Sequence, residues 1–500
     1  MRREDYRATL IIMSGLAAAA LTGFVREASL AYQLGVGRAT DIYLIAFTIP
    51  EFVFTALPIV LVPAFLPLFA DLRLRVGEAG AWRFGGRVAW ALLALLVGLT
   101  ALVGWSAPLT LRWLAPGFDG SQRAQATQAL SLMLPALSLM GGATLAGAIL
   151  QVYRRFARPA LATALYNLTF VAALIGLPLA SGVGRAAWGV TLGAAAALAL
   201  QLPLLWGHRP SSRGARQGDS AGQPVPIGLA GLWRLAGPLA AGYAVHHIIY
   251  FVDRAMATTA GSGSVATLNY AYRLALVAGQ LSGLAVSTAL FPRMAEQAAG
   301  DDLAGLRSSL AGALRFVWMV GLPASGVLIV LRTPLIRVLF ERGAFDRAAT
   351  AAVGDVLGWY ALAVLADALC QPLWRIVYAR RRAWTVLAVN GLQTGVRILA
   401  NLALIRHLGY NGLAISAVLG LAIQAAVLGY LARRSLGAYL TAQWWKGALR
   451  VVAAAVLGLA AAGGLASALA ASPPLVPLLA GGALGALIYG AILRVRKTVW

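Results

Sequence analysis

The sequence holds one cysteine, Cys370, and four histidines, His208, His246, His247 and His407. A lone cysteine excludes an internal disulfide and a thiolate metal cluster, and the histidines stand in no metal-ligand spacing. No GK[ST] follows the glycines of GVGRAT at Gly35, so no P-loop is present and ATP hydrolysis by this chain is not expected. No cluster of carboxylates marks a catalytic centre; the chain is expected not to be an enzyme and to need no organic cofactor. Acidic residues are scarce, 17 against 41 Lys and Arg. In a soluble protein that excess would point to nucleic acid. Here the basic residues fall in short clusters between apolar runs, so no nucleic-acid partner is expected. Charge is itself scarce, at 12% of residues against 60% hydrophobic. Soluble domains carry about 25% charged and about 45–50% apolar residues. The fold class is therefore an all-α, polytopic membrane protein.

A span needs about 20 largely apolar residues. That rule predicts about fourteen, near 8–32, 40–69, 84–111, 126–152, 159–180, 186–206, 227–257, 266–291, 308–332, 348–378, 384–405, 410–432, 446–471 and 475–493. Arg2, Arg3 and Arg7 precede the first run, which is too long for a signal peptide and reads as an uncleaved helix. Basic residues concentrate in alternate connections, among them Arg154, Arg155 and Arg158, then Arg380, Arg381 and Arg382, then Arg433 and Arg434. That bias places both termini in the cytoplasm, as an even number of spans requires.

The only long polar linker is HRPSSRGARQGDSAGQPVP at 208–226. The halves on either side resemble each other. Asn167 matches Asn390, Gly189 matches Gly412 and Gln201 matches Gln424 at an offset of 223, and Asp119 matches Asp346 at 227. The expected organisation is an N-terminal six-helix bundle at 1–207, the cytoplasmic linker, a second six-helix bundle at 227–433, and two additional helices at 434–500. Six is even, so these are parallel repeats with a substrate path between them. In the last pair, Gly481 and Gly485 make one small-xxx-small spacing, a weak packing signal.

Ionisable residues inside apolar segments are costly and mark pathways. Arg26 and Glu27 lie in the first segment, Asp41 opens the second and Glu51 lies within it, beside Pro50, Pro58, Pro63 and Pro67. Prolines predict a bent second helix. Arg273 lies inside the eighth segment. Guanidinium groups bind phosphate bidentately, so Arg26 and Arg273 suit an anionic, phosphate-bearing substrate. The plainer alternative is that Arg26 and Glu27 neutralise each other, Asp41 caps a helix and Arg273 snorkels or pairs. Asp253, with Asn390 and Thr394 at i and i+4 on one face, offers oxygen donors for a cation. Helix packing explains the amide and hydroxyl equally well.

GFVREASLAYQLGVGRATDIYLIAF at 23–47, VDRAMATTAGSGSVATLNYAYRL at 252–274, PLIRVLFERGAFDRAAT at 334–350 and LGYNGLAISAVLG at 408–420 resemble the MurJ (MviN) family of lipid II flippases, in the multidrug/oligosaccharidyl-lipid/polysaccharide exporter superfamily. The resemblance implies two helical bundles around a cationic cavity, with a lipid-tail groove at the last two helices. It implies that lipid II, an undecaprenyl-pyrophosphate-linked precursor of peptidoglycan, moves from inner to outer leaflet of the bacterial inner membrane by alternating access. Its implied partners are the lipid-linked glycan, membrane lipids and proteins of cell-wall synthesis. Arg26, Glu27, Asp41 and Arg273 fall on the family's charged positions, and Asp253 and Asn390 fall where some members resemble a sodium site. A coupling cation, sodium or proton, follows as an expectation. The family often carries arginine at the positions of Ala20 and Phe54 and glutamate at Ile59. A flippase for another polyprenyl-linked oligosaccharide is the alternative.

Overall fold

The structure is a computed structural model that describes residues 3–178, 181–207, 228–300, 302–379 and 383–495. The linker at 208–226 and Arg380, Arg381 and Arg382 lie outside the described residues. Among those described, every regular element is a helix. The chain packs as two compact units, Met1–Ser262 and Gly263–Trp500.

The first unit holds α1 (Arg3–Leu34), α2 (Arg38–Arg75), α3 (Gly77–Leu114), α4 (Gly120–Met133), α5 (Pro135–Val152), α6 (Ala157–Gly176), α7 (Gly182–Gly207) and α8 (Leu229–Thr259). The second holds α9 (Ser264–Ala299), α10 (Leu303–Val330), α11 (Arg332–Leu339), α12 (Arg347–Ala379), α13 (Ala383–Leu408), α14 (Tyr410–Leu436), α15 (Ala442–Ala468) and α16 (Leu475–Val495). Eleven segments among the described residues are long and apolar enough to cross a bilayer. Fourteen spans, the expected number, requires that α1, α9 and α13 cross as well; they have 32, 36 and 26 residues.

Proline acts differently in two of the spans. The fourth span breaks between α4 and α5, where Pro135 takes the first position of the new helix and contributes no amide hydrogen to the turn before it. The second segment, by contrast, runs as one 38-residue helix through all four of its prolines. Each proline leaves one carbonyl without its helical donor, a loss tolerated in spans whose neighbours re-satisfy the backbone.

The core of the first unit is aromatic where α2 meets α3. Phe65 and Phe84 stack at 5.8 Å, Phe69 packs on Phe65 at 5.3 Å, and Leu145 and Ile149 of α5 close the cluster. α8 follows the linker in sequence but packs with the first unit. Phe52 of α2 meets Tyr243, His247 and Phe251 of α8 at 5.2, 5.9 and 5.3 Å. At the other end of α8 the Gly117 amide donates to Thr258 Oγ1 at 3.1 Å.

The internal repeat is visible as repeated capping. Asp119 Oδ1 accepts the Gln122 amide at 2.7 Å to start α4, and Asp346 Oδ1 accepts the Ala349 amide at 2.8 Å to start α12. Each aspartate satisfies an otherwise orphaned amide of the first turn. The matched amides diverge: Gln201 Nε2 donates to the Ala143 carbonyl of α5 at 3.1 Å, whereas Gln424 Nε2 donates to Asn390 Oδ1 at 3.2 Å.

In the second unit α15 and α16 cross at glycine. A Cβ on Gly458 would stand 2.8 Å from the Gly485 carbonyl oxygen, and one on Gly485 would stand 3.0 Å from that of Gly458. Gly485 of the weak sequence signal is therefore a contact point between backbones. Gly485→Val should force these helices apart and destabilise the protein by about 1–3 kcal/mol, the usual cost of overpacking, read as a lowered unfolding midpoint in detergent.

Capping also sets a pH dependence. The Gln122 amide, and then the Ser121 hydroxyl, hold the Asp119 carboxyl below the usual carboxylate range. A depressed folded value contributes stability above the unfolded value of about 3.9, and that contribution disappears as pH falls through the lower folded value. Asp119→Asn keeps an acceptor but removes the charge. Its unfolding midpoint should fall below that of the parent protein at neutral pH and converge with it in acid; equal midpoints at neutral pH would contradict the assignment.

Candidate functional site

In the first unit Arg26 and Glu27 of α1 and Glu51 of α2 enter two separate groups. Arg26, eight residues before the end of α1, pairs with Glu27: Nη2 to Oε1 is 2.8 Å, and the two side chains are 15% and 11% exposed. Adjacent helix residues do not normally face one another, so the pair is held from outside. Aromatic rings do this. The guanidinium carbon of Arg26 lies 5.9 Å from the ring centre of Phe47 on α2, 5.9 Å from Tyr166 and 5.6 Å from Phe170, both on α6. Rings within about 6 Å attract a cation by their quadrupole, by about 2 kcal/mol when desolvated. Tyr43 stacks on Phe47 at 5.7 Å and packs on Phe170 at 6.0 Å; Phe54 meets Phe47 at 6.0 Å and Tyr166 at 6.3 Å. Five rings thus form a continuous wall. One turn from Arg26, Asn167 Nδ2 donates to Thr22 Oγ1 at 3.3 Å and fixes α6 to α1.

The second group joins α2 to α8. The Tyr250 hydroxyl donates to Glu51 Oε2, and Arg254 Nη2 lies 3.5 Å from that oxygen and donates to the Tyr250 hydroxyl at 2.8 Å. Arg254 and Glu51 are 9% and 19% exposed. Asp41 lies in the first turn of α2 and is 2% exposed. Gly37, not Asp41, is the N-cap; Asp41 sits one turn in, where the helix dipole favours an acid.

The sequence profile described as "Lipid II flippase MurJ" matches residues 30–473. The chain belongs to the MurJ family. It is 29% identical over 421 residues to "Probable lipid II flippase MurJ" of Rhizobium meliloti (strain 1021), covering 82% of this chain and 77% of that protein. It is 27% identical over 461 residues to "Lipid II flippase MurJ" of Burkholderia cenocepacia, covering 88% and 86%. Among solved structures, "Lipid II flippase MurJ, inward closed conformation" aligns with TM-score 0.78 at 18% identity over 97% of this chain and 98% of that one. A multidrug resistance MATE family transporter of the MOP superfamily, inward-facing, aligns with TM-score 0.68 at 16% identity over 86% and 98%. These likenesses establish the fold.

Two stretches that carry the MurJ resemblance meet in the second unit. Tyr270, from LNYAYRL at the start of α9, packs against Phe340 at 5.4 Å and Phe345 at 5.7 Å, the two phenylalanines of FERGAFD. Within that loop Glu341 accepts the Thr350 hydroxyl at 2.8 Å and lies 3.4 Å from Arg337. Gly263 caps α9 with φ +84°. A rigid base therefore underlies the turn that carries Arg273, which is half-buried.

The candidate cation residues are distributed over both units. Asp253 is on α8 of the first unit and half-exposed. In the second unit Asn390 Oδ1 accepts the Gln424 amide at 3.2 Å, and the Thr394 hydroxyl donates to Gln393 Oε1 at 3.4 Å. Among the described residues no three His, Cys, Asp or Glu side chains group as a metal site.

Sequence reading missed two features of the first unit. It treated Glu51 without its partners Tyr250 and Arg254, and it did not register the aromatic wall. The pairs Tyr43/Phe47 and Tyr166/Phe170, each at i and i+4, were the available signal. Removing one wall ring tests its role: Phe170→Leu should weaken binding of a prenyl pyrophosphate roughly tenfold while leaving expression intact, since about 1–2 kcal/mol of cation–ring attraction is lost. Unchanged binding in titrations of the purified protein would remove the wall from the site.

Proposed function

We propose that this chain is a flippase that moves lipid II from the inner to the outer leaflet of the bacterial inner membrane by alternating access, with both termini cytoplasmic. The observation that carries the reading, beyond family membership, is Arg26: a guanidinium inside a spanning unit, paired with a carboxylate and walled by rings. A cation in that setting favours a bulky anion that is partly apolar. Arg26 of the first unit receives the pyrophosphate, and Arg273 is a further candidate in the second; Glu27, Asp41 and Glu51 set the charge balance that determines when it is held. Transport breaks no covalent bond, so the chain needs only differential affinity between two conformations. The prenyl tail follows the pair α15 and α16, and the sugar crosses along the polar path. The driving energy is the membrane potential, about 2.3 kcal/mol per charge per 100 mV, or a cation gradient acting at Asp253, Asn390 and Thr394.

The second reading is a flippase for another polyprenyl-linked oligosaccharide. Phe54 favours it, because this ring faces Phe47 and Tyr166 where the family often has arginine.

Complementation separates the two. In cells depleted of their own lipid II flippase, expression of this chain should restore lipid II exposure at the outer leaflet. Arg273→Ala should abolish that exposure at unchanged protein level, and Arg273→Lys should restore a fraction of it, since lysine cannot make the bidentate contact. Failure of the parent protein, with protein present in the membrane, selects the second reading. Full activity of Arg273→Ala removes Arg273 from the site.

A further inference from the structure

Glu51 joins Tyr250 and Arg254 in a small network, and the reading above gives no role to the tyrosine or the arginine. An ion pair taken out of water recovers its desolvation cost only with good geometry, and apolar residues in its place usually serve stability as well or better. The direct contact between Glu51 Oε2 and Arg254 Nη2 is long. One guanidinium nitrogen approaches one carboxylate oxygen at 3.5 Å, whereas tight arginine–carboxylate pairs stand at about 2.7–2.9 Å, often through two parallel bonds. Arg254 has a firmer hold elsewhere: it donates to the Tyr250 hydroxyl at 2.8 Å, and its guanidinium carbon lies 5.1 Å from that ring's centre. Tyr250 is one turn back on the same helix, so the guanidinium is positioned by α8 itself. Glu51 accepts the Tyr250 hydroxyl, so its direct contact with Arg254 is the exchangeable one. It lies on one face of α2 with Thr55 and Ile59, which are exposed, so the pair sits at the edge of an open stripe of the helix.

We propose that Arg254 is a further phosphate-binding residue of the first unit, and that Glu51 occupies it as an internal surrogate anion until a pyrophosphate displaces the carboxylate. The proposal rests on the reading that this chain binds a pyrophosphate-linked lipid. A guanidinium prefers the paired oxygens of a diphosphate, which carries two negative charges in all, to one carboxylate oxygen 3.5 Å away. Exchange at Arg254 then removes one of the two ties that Glu51 has to α8, while the Tyr250 hydroxyl bond and the aromatic contacts of Phe52 persist.

Competition makes the test directional. Binding of farnesyl pyrophosphate to the purified full chain in detergent is measured by titration, with farnesol as the control for the tail and inorganic pyrophosphate as a competitor for the headgroup. Glu51→Gln removes the competing charge and should tighten farnesyl pyrophosphate binding about tenfold, as loss of a competing charged hydrogen bond implies, with farnesol binding unchanged. The double variant Glu51→Gln with Arg254→Gln is neutral at both positions and tolerable to the fold. It should lose that gain and bind more weakly than the parent. If the pair is only a structural tie, Glu51→Gln lowers the unfolding midpoint and leaves affinity equal or reduced, which overturns the proposal. If the parent protein binds neither farnesyl pyrophosphate nor lipid II, the functional reading itself falls, a result distinct from an unaltered Glu51→Gln.

Discussion

A charge carried to the middle of a bilayer costs about 2.5–3.5 kcal/mol on insertion scales, and the interior of the first unit is organised around offsetting that cost. Arg26 is compensated twice, by Glu27 at 2.8 Å and by three ring faces within 6 Å. The two means differ in consequence. A carboxylate neutralises the guanidinium and competes with an incoming anion for its donors. A ring face lowers the cost of the cation without occupying its hydrogen-bonding edge. At Arg26 the rings share that task with one carboxylate, so the guanidinium is not held by carboxylates alone.

The all-α fold was legible because it follows from hydropathy and length. The repeat was legible too, because Asp119 and Asp346 perform the same capping task at matched positions. What escaped were features that depend on which helix lies beside which. Pro135 breaks a span while Pro50, Pro58, Pro63 and Pro67 do not interrupt α2; the difference resides in neighbours that one-dimensional periodicity does not contain. The same holds at the site. Arg26, Glu27, Asp41 and Glu51 were identifiable as charges in apolar surroundings, but the partner of Glu51 comes from a helix two hundred residues later. Arg254 was visible beside Asp253, and nothing in sequence spacing tells which of two adjacent charges turns toward α2. The fact that α8 packs with the first unit decides it.

The stretches most diagnostic of the MurJ family illustrate why a motif need not touch substrate. Tyr270, Phe340 and Phe345 are 0, 3 and 1% exposed, so they cannot contact anything that moves through the protein. Their work is positional. Three buried rings, a glycine-capped helix start and the Glu341-centred loop fix the first turns of α9. An arginine on such a helix has a long, flexible side chain, and its usefulness depends on how well its backbone is held: preorganisation lowers the ordering cost that binding must overcome. The rigid base under Arg273 and the ring wall around Arg26 are two solutions to that one problem. One fixes the backbone beneath the guanidinium, and the other confines the guanidinium itself. Each lowers the ordering cost that anion binding by these arginines, as proposed above, would have to overcome.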